Sequence, residues 1–308
     1  MEEVHEDIIR IKVPLPNNPL KEVNCYLIKD PPILIDTGMN LETCYSTLKP
    51  VVEKFGKPTV VATHMHVDHL GLAGRICELV LMSEKEIEVF KKFTKKEEWI
   101  KLIKFFVSNG FPENLALEIL SLHPGIRYFY PPRELKIVDL VSSSGYELEP
   151  LLTPGHTPGH LCLYEKREGI LFSGDHVLFD ITPNIGYWEN FDSLKSYVES
   201  LKGLKKLKVK IVYPGHREAS SSLKDRIDEL LEHHKKRLEE VFNAVKSRKT
   251  AWQIAQEVSW DVGYKSWEEF PVTQKWFAVS ETLAHLEYLA DSGEIRKIIE
   301  EKIYYCPC

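Results

Sequence analysis

The chain has 308 residues, of which 43% are hydrophobic and 28% charged, and its formal net charge is −6. This composition is sufficient for a hydrophobic core and excludes a wholly disordered or collagen-like chain. No apolar run approaches the roughly 20 residues that a membrane-spanning helix needs. The acidic start, with Glu2, Glu3, Glu6 and Asp7, is unlike a signal peptide, and the six cysteines are scattered as in a reducing compartment. We therefore expect a cytoplasmic protein with no membrane partner.

The first part of the chain is predicted to alternate strands and helices. Helical spacing predicts a helix over Leu41–Phe55. Short apolar runs predict strands at Ile8–Val13, Asn24–Ile28, Ile33–Ile35 and Thr59–Ala62. The segment 84–132 is then helical, charged and aromatic until Pro131-Pro132. It is long for a connection between strands, so we predict a helical insertion.

The second part predicts more strands and then a change of pattern. Strands are expected at Glu147–Leu152, His160–Tyr164, Gly169–Phe172 and Lys210–Tyr213, with a helix at Leu194–Leu201. This alternation is typical of a layered α/β architecture. After residue 220, helices at Leu223–Val245, Thr250–Val258 and Val272–Ala290 precede a β-ribbon formed by Ile295–Ile299 and Ile303–Tyr305. We predict one domain over residues 1–225 and a winged-helix-like domain over 226–308.

The chain contains 12 histidines, and several fall in one short motif. His64, His66, Asp68 and His69 form H-x-H-x-D-H directly after a predicted buried strand. Imidazole and carboxylate groups are ligands for zinc, manganese and iron. Four ligands so close in sequence suit two adjacent metals better than one.

Three further candidate ligands each follow an apolar run. His156 lies in T-P-G-H-T-P-G-H, Asp175 in F-S-G-D and His216 in Y-P-G-H. A glycine before each allows the backbone to turn sharply at the strand end. We predict His160 and His176, which adjoin ligands, to be supporting partners of a ligand or strand residues, and Asp36 to orient a ligand or fix a turn.

These four motifs, together with L-I-D-T-G at Leu34–Gly38, resemble the metallo-β-lactamase superfamily over roughly residues 8–220. The resemblance implies an αββα sandwich with a dinuclear metal site at one sheet edge. It places His64, His66 and His156 on the first metal. It places Asp68, His69 and His216 on the second, with Asp175 bridging. The ligand set lacks cysteine and looks like that of the glyoxalase II and ribonuclease branches.

The implied chemistry is hydrolysis by a metal-bridging hydroxide. Two divalent ions, zinc by default with iron or manganese as alternatives, lower the pKa of a shared water. Asp68 is expected to hold or relay a proton as well as to bind metal. No protein nucleophile is required.

The metal site does not name the substrate, so three hypotheses stay open. We favour a small-molecule ester or thioester, with the insertion as a lid and Tyr187, Trp188 and Phe106 as substrate-pocket candidates. The second hypothesis is cleavage of single-stranded RNA, because the tail resembles that of the lactamase-beta-2-like endoribonucleases. However, Leu231–Cys308 carries 11 Lys and Arg against 13 Asp and Glu, which is no basic surface. The insertion, Lys85–Lys136, has a modest basic excess of 10 against 7. The third is a docking or homodimer role for the tail and its aromatic residues, which can coexist with either activity.

Overall fold

The computed structural model describes residues 1–261 and 263–308, and most of the first sheet comes from the N-terminal third. Its seven strands are β1 (Glu2–His5), β2 (Ile8–Pro14), β3 (Glu22–Ile28), β4 (Ile33–Ile35), β5 (Thr59–Val61), β6 (Leu79–Met82) and β7 (Glu134–Ile137). They are hydrogen-bonded in chain order. The pairs from β1 to β4 are antiparallel, and those from β4 to β7 are parallel.

The second sheet has five strands in the order β12-β11-β10-β9-β8. These are β8 (Val141–Ser143), β9 (Tyr146–Leu152), β10 (Leu161–Glu165), β11 (Ile170–Gly174) and β12 (Ile211–Pro214). Only the β11–β12 pair is parallel. Every residue of β10 and β11 is buried, as expected for central strands covered on both faces.

In sequence the helices alternate with the strands or follow them. They are α1 (Glu42–Phe55), α2 (Val67–Leu70), α3 (Ala73–Ile76), α4 (Glu84–Phe93), α5 (Lys96–Ser108), α6 (Glu113–Leu122), α7 (Pro124–Arg127), α8 (Ser193–Leu204), α9 (Leu223–Ala244), α10 (Ala251–Ala255) and α11 (Val272–Asp291). A 3-10 turn covers Trp267–Glu269, and β13 (Ile295–Ile299) pairs with β14 (Ile303–Pro307) as an antiparallel ribbon. No helix in the described part of the chain is both long and apolar enough to cross a bilayer.

Side-chain alternation along the strands builds a four-layer sandwich. Along β3, Tyr26 and Ile28 face the second sheet, where they join Phe172 in one core. Cys25 and Leu27 point the other way and pack with α1. The outer face of the second sheet is covered by α8 and the start of α9. The predicted αββα fold is therefore confirmed.

The insertion and the C-terminal helices share one hydrophobic core. Phe106 and Phe111 of the insertion pack with Trp276, Val279 and Leu283 of α11. The rings of Phe106 and Trp276 are stacked, with centroids 3.6 Å apart. The insertion is therefore anchored on the C-terminal helices, which differs from an independently hinged lid.

The predicted tail helices and ribbon are present, and α9 extends across the predicted domain boundary near residue 225. Leu223, Ile227 and Leu230 pack on the second sheet, whereas Val241 and Ala244 lie in the core shared with the insertion. Several of the tail's aromatic residues pack within this same core, including Trp252, Trp260, Trp267, Trp276 and Phe277. The winged-helix assignment and the two-domain division stay predictions.

Candidate metal centre

Seven polar side chains meet at one edge of the sandwich because their loops follow neighbouring strands. His64 and His66 come after β5, and the short helix α2 then carries Asp68 and His69. The other three ligands are His156 between β9 and β10, Asp175 after β11 and His216 after β12. The β4–β5 pair of the first sheet and the β11–β12 pair of the second are parallel, so the two strands of each pair have their carboxyl ends at the same edge of their sheet. The structure thus brings together all seven metal ligands predicted from the sequence.

The first group is formed by three imidazoles. Nδ1 of His66 lies 3.1 Å from Nε2 of His64 and 2.9 Å from Nε2 of His156. Tetrahedral zinc with bonds of 2.0–2.1 Å separates its nitrogen ligands by about 3.3 Å. These three nitrogens are therefore spaced to hold one ion, in agreement with the predicted first-metal set.

The second group combines two carboxylates with two imidazoles. Nε2 of His216 lies 3.4 Å from Oδ2 of Asp68 and 3.5 Å from Oδ2 of Asp175. Nε2 of His69 lies 3.4 Å from Oδ1 of Asp175. Oδ2 of Asp175 is also 3.8 Å from Nε2 of His156 in the first group. Asp175 thus lies between the two groups, where a bridging ligand would be.

Buried atoms without hydrogen-bond partners test whether these residues fit metal ions. Nε2 of His69, Nε2 of His216 and Oδ1 of Asp175 are buried and lack a partner among the described residues. Buried polar atoms are normally satisfied, so such groups at one place need an explanation. All three point into the cluster, and their donor chemistry suits divalent cations. The residues therefore fit metals.

The electrostatics differ between the two groups. Burial lowers the pKa of His66 to about 3, so its imidazole is in the neutral, metal-binding form. Burial also opposes the charged form of His216, but the carboxylates of Asp175 and Asp68 outweigh it and raise that pKa to about 10. For Asp68, burial is outweighed by His216 and His69, which lower its pKa to about 2. In the metal-free protein the proton on His216 therefore balances a carboxylate charge of the second group, and a metal ion bound there would replace that proton.

Hydrogen bonds at the far nitrogen orient three of the imidazoles. Nδ1 of His69 is 2.8 Å from Oδ2 of Asp36, which agrees with the role predicted for that aspartate. Nδ1 of His216 donates to the carbonyl of Glu22 at 2.6 Å. Nδ1 of His156 donates to the carbonyl of Asn184 at 2.8 Å. Each bond leaves Nε2 free to face a metal.

His160 also has the role that the sequence predicts. Its Nε2 accepts the backbone N–H of Asp175 at 3.2 Å, and its Nδ1 is 2.9 Å from the hydroxyl of Thr153. Both ring nitrogens are thereby engaged. His160 supports the Asp175 loop and does not belong to either ligand group.

Glu86 is a functional residue that sequence reasoning missed. Oε1 of this buried carboxylate accepts the N–H of Met65 at 2.7 Å. Oε2 accepts the hydroxyl of Thr157 and the N–H of Gly159, both at 2.9 Å. Glu86 therefore ties the H-x-H loop to the loop of His156. The only signal was S-x-x-E at Ser83–Glu86, which predicts a capping box and not this role.

A cavity of about 1840 Å³ opens from the metal ligands toward the insertion and α11. The ring of Trp188 lies near that of His66, with centroids 6.4 Å apart, and its Nε1 donates to the carbonyl of His156 at 3.2 Å. Tyr187 also lines the cavity and stacks on Phe105 at 4.4 Å. Phe106 borders it but is only 1% exposed, because its ring packs in the shared core. The structure thus places Tyr187 and Trp188 where a substrate could contact them, whereas Phe106 is buried in the core beneath the cavity lining.

Comparison with known proteins agrees with this geometry. "Beta-lactamase-like protein 2 homolog" of Caenorhabditis elegans is 28% identical over 269 residues, which is 84% of this chain and 78% of that protein. An "Atrochrysone carboxyl ACP thioesterase" of Aspergillus fumigatus is 24% identical over 220 residues, covering 70% of this chain and 56% of that protein. The crystal structure of the metallo-beta-lactamase family protein TTHA1429 from Thermus thermophilus superimposes with a TM-score of 0.84 and 28% identity over 99% of this chain and 100% of that one.

The part of the chain that carries the motifs and the ligand cluster also matches the sequence profile of one family. The profile of the metallo-beta-lactamase superfamily matches residues 19–216, which include all seven ligands. The candidate metal site and the names of the relatives agree with hydrolase activity for this chain. The chain belongs to the metallo-beta-lactamase superfamily.

Proposed function

We propose that this protein is a dinuclear metal-dependent hydrolase that cleaves an ester or thioester bond in a small molecule. The position of Asp175 between two ligand groups, at the end of a large aromatic cavity, carries this proposal. When bound, two divalent ions would supply a water of lowered pKa as nucleophile and polarise the oxygen of the scissile group. Zinc is the default, and iron and manganese accept the same ligands.

The chain's own residues position the reactants and move a proton. Asp68 is 9% exposed and borders the cavity, and its Oδ2 faces Nε2 of His216 at 3.4 Å. A carboxylate at that place can take the proton of the attacking water and give it to the leaving group. Trp188 forms a wall beside His66 and limits access of bulk water from that side.

The lining of the cavity favours a substrate with an apolar group. Its wall toward the insertion and α11 is apolar and aromatic, including Trp99, Leu102, Phe105, Tyr187 and Phe277. An acyl chain or aromatic ring in this space would bury apolar surface while its carbonyl stays at the metal ligands. The name of the Aspergillus fumigatus relative, a thioesterase acting on an acyl carrier protein, supports a thioester substrate.

RNA is the second candidate, and the charges around the cavity disfavour it. Three of the insertion's lysines that border the cavity, Lys85, Lys92 and Lys101, pair with Glu88, Glu189 and Glu98 respectively, whereas Lys96 has no ion-pair partner among the described residues. A phosphate backbone would have to compete with these carboxylates. Together with the acidic tail, this pairing gives less free basic surface than a nucleic-acid-binding protein normally has, although Lys96 and Arg217 at the cavity are unpaired in the described part of the chain.

One panel of substrates tests the proposal. Acyl-thioesters, lactones and single-stranded RNA would be assayed with the wild type, with Asp68→Ala and with a control, His5→Ala, on the edge strand β1. We expect metal-dependent thioester or ester cleavage that falls at least 100-fold in Asp68→Ala and is unchanged in His5→Ala. Metal-dependent cleavage of RNA without cleavage of any ester or thioester would reverse the ranking.

A further inference from the structure

The loop that follows Asp175 is fastened to helix α11. The N–H of Tyr187 donates to the carbonyl and to Oγ of Ser280, both at 3.0 Å. Nδ2 of Asn184 donates to Oε2 of Glu281 at 2.8 Å. Gly186 approaches so closely that a Cβ would lie 2.7 Å from Oγ of Ser280. Consecutive residues of α11 thus fix the position of this loop.

The same loop orients a metal ligand. The carbonyl of Asn184 accepts Nδ1–H of His156, whose Nε2 faces the first metal position. Glu281 is 7% exposed, and its Oε1 lies 3.5 Å from Nε of Arg237 on α9. Nη1 of Arg237 in turn donates to the carbonyl of Ser259. A continuous chain of polar contacts therefore runs from the C-terminal helices to His156.

We propose that Glu281 is a positioning residue for the metal ligand His156, so that the C-terminal helices form part of the metal centre. This inference rests on the proposed metal-binding function. Glu281 touches neither metal nor substrate. It acts by holding Asn184, whose carbonyl sets the direction of the His156 ring.

The test measures metal affinity and does not need a known substrate. Glu281→Ala and Asn184→Ala, which each remove the side-chain contact but keep the backbone carbonyl, would be compared with Thr282→Val. Thr282 is a good control because it is buried on the same helix and bonds only to Ala278 within that helix. Affinity for cobalt would be measured by competition with a chromophoric chelator, together with the absorption spectrum of the bound ion and the melting temperature of the metal-free protein.

We expect a 10- to 100-fold loss of affinity at the first position and an altered cobalt spectrum in both alanine variants, as is typical when a ligand's supporting partner is removed. Glu281→Gln keeps an oxygen that can accept from Asn184 and should restore most of the affinity. Thr282→Val should bind cobalt as the wild type does. Wild-type affinity and spectrum in both alanine variants would overturn the inference. His156→Ala tells a failure of this inference from a failure of the proposed metal centre. If His156→Ala also binds two ions normally, the proposed metal centre itself is wrong.

A second inference concerns Arg217, the residue after the ligand His216. It lies half-buried at the cavity with φ at +71°, a left-handed conformation that is unusual for arginine. The carbonyl of Arg217 accepts Nδ2 of Asn24 at 2.7 Å, which fixes this turn. An unfavourable backbone conformation that is held in place beside an active site motivates a functional explanation.

The guanidinium of Arg217 has no ion-pair partner in the described part of the chain. Its neighbour Glu218 pairs with Arg10 and Lys12, each at 2.5 Å. Two other arginines at the cavity, Arg226 and Arg237, are engaged with glutamates of their own helix. Arg217 is thus a cation without an ion-pair partner in the described residues, and it lines the cavity directly after a candidate metal ligand.

We infer that Arg217 binds an anionic group of the substrate, a carboxylate or a phosphate. This deepens the proposed function by assigning the charge of the substrate. Guanidinium groups suit both anions because their paired N–H donors match two oxygens. The acyl part would occupy the apolar region, and the anion would lie on the side of His216.

Binding of thioether analogues, which cannot be hydrolysed, tests this inference independently of turnover. Calorimetry would compare hexyl thioethers of pantetheine, phosphopantetheine and mercaptopropionate with the wild type, Arg217→Gln and the exposed control Arg133→Gln. We expect the wild type and the control to bind at least one anionic analogue 10-fold or more tightly than the neutral one. Arg217→Gln should lose that preference and keep its affinity for the neutral analogue. The two anionic arms distinguish phosphate from carboxylate. Equal affinities of the wild type for all three analogues, or an unchanged preference in Arg217→Gln, would overturn the inference.

Discussion

The Glu86→Gln substitution should lower the free energy of unfolding and weaken metal binding, although it leaves the shape of the side chain unchanged. The carboxylate accepts hydrogen bonds from three donors, two of them backbone N–H groups, on two different ligand-bearing loops. An amide has only one accepting oxygen. If that oxygen stays with Thr157 and Gly159, the new NH2 group faces the N–H of Met65.

The expected loss in the free energy of unfolding follows from the number of donors that lose their acceptor. One buried backbone donor left without a partner costs about 1–3 kcal/mol. Burial raises the pKa of Glu86 to about 7, so above roughly pH 8 replacing charged acceptors by a neutral one at the other two bonds costs roughly 1 kcal/mol more. We therefore expect the free energy of unfolding to fall by about 2–4 kcal/mol in Glu86→Gln. Glu86→Ala removes every acceptor and should cost about 4–5 kcal/mol.

Urea unfolding of the metal-free protein measures this loss, and metal titration measures its effect on the site. Glu88→Gln is the matched control, because it lies on the same helix but is exposed and paired only with Lys85. It should stay within about 0.5 kcal/mol of the wild type. Glu86→Gln with the stability and metal affinity of Glu88→Gln would refute the reasoning.

Three further predictions concern the Y-P-G-H turn. Gly215→Ala should weaken metal binding at least 10-fold, because its Cβ would lie 2.6 Å from Oδ1 of Asp175; a normal metal titration would contradict this. Arg217→Gly should raise the free energy of unfolding by about 1 kcal/mol through relief of its left-handed conformation, and an unchanged urea midpoint would argue against that strain. In metal-free protein, burial lowers the pKa of His216 but Asp175 and Asp68 raise it from 6.5 to about 10. This ion pair therefore stabilises the fold fully below pH 6.5 and its contribution is lost as the pH rises through about 10. Urea midpoints should fall over that window more steeply in the wild type than in His216→Gln, in which His69 still titrates because Asp175 and Asp36 outweigh its burial and raise its pKa as well. Equal slopes would contradict the assignment.

The ligands were predictable from the sequence because each is encoded locally. An apolar strand, a glycine or a short polar turn and then a histidine or aspartate is a pattern within a few residues, as at Gly155-His156 and Gly215-His216. The same strands predicted a layered α/β architecture, and the resemblance to the metallo-β-lactamase superfamily implied the αββα sandwich. Four strands were not predicted. The edge strands β1 and β7 have largely exposed side chains and show no apolar alternation. The other two, β6 and β8, are only four and three residues long, which is too short for a clear pattern.

Unlike Asp36 and His160, the supporting residues Glu86 and Glu281 were not predictable, because their partners are distant in sequence. Glu86 lies 71 positions from Thr157, and Asn184 lies 97 positions from Glu281. A glutamate on an amphipathic helix looks the same in sequence whether it faces solvent or a buried loop. Phe106 shows the same ambiguity, since an aromatic residue on a helix suits a pocket wall and a core equally well. Only the packing of the insertion against α11 decides between them.

The number of metal ions bound per chain tests the central claim most directly. Purified protein would be analysed for transition metals by mass spectrometry, alongside His66→Ala and Asp175→Ala. We expect two divalent ions per chain in the wild type, one fewer in His66→Ala and loss of both tightly bound ions in Asp175→Ala, since the carboxylate of Asp175 lies between the two ligand groups. A wild-type protein that binds no transition metal, or variants that bind as much as the wild type, would contradict it.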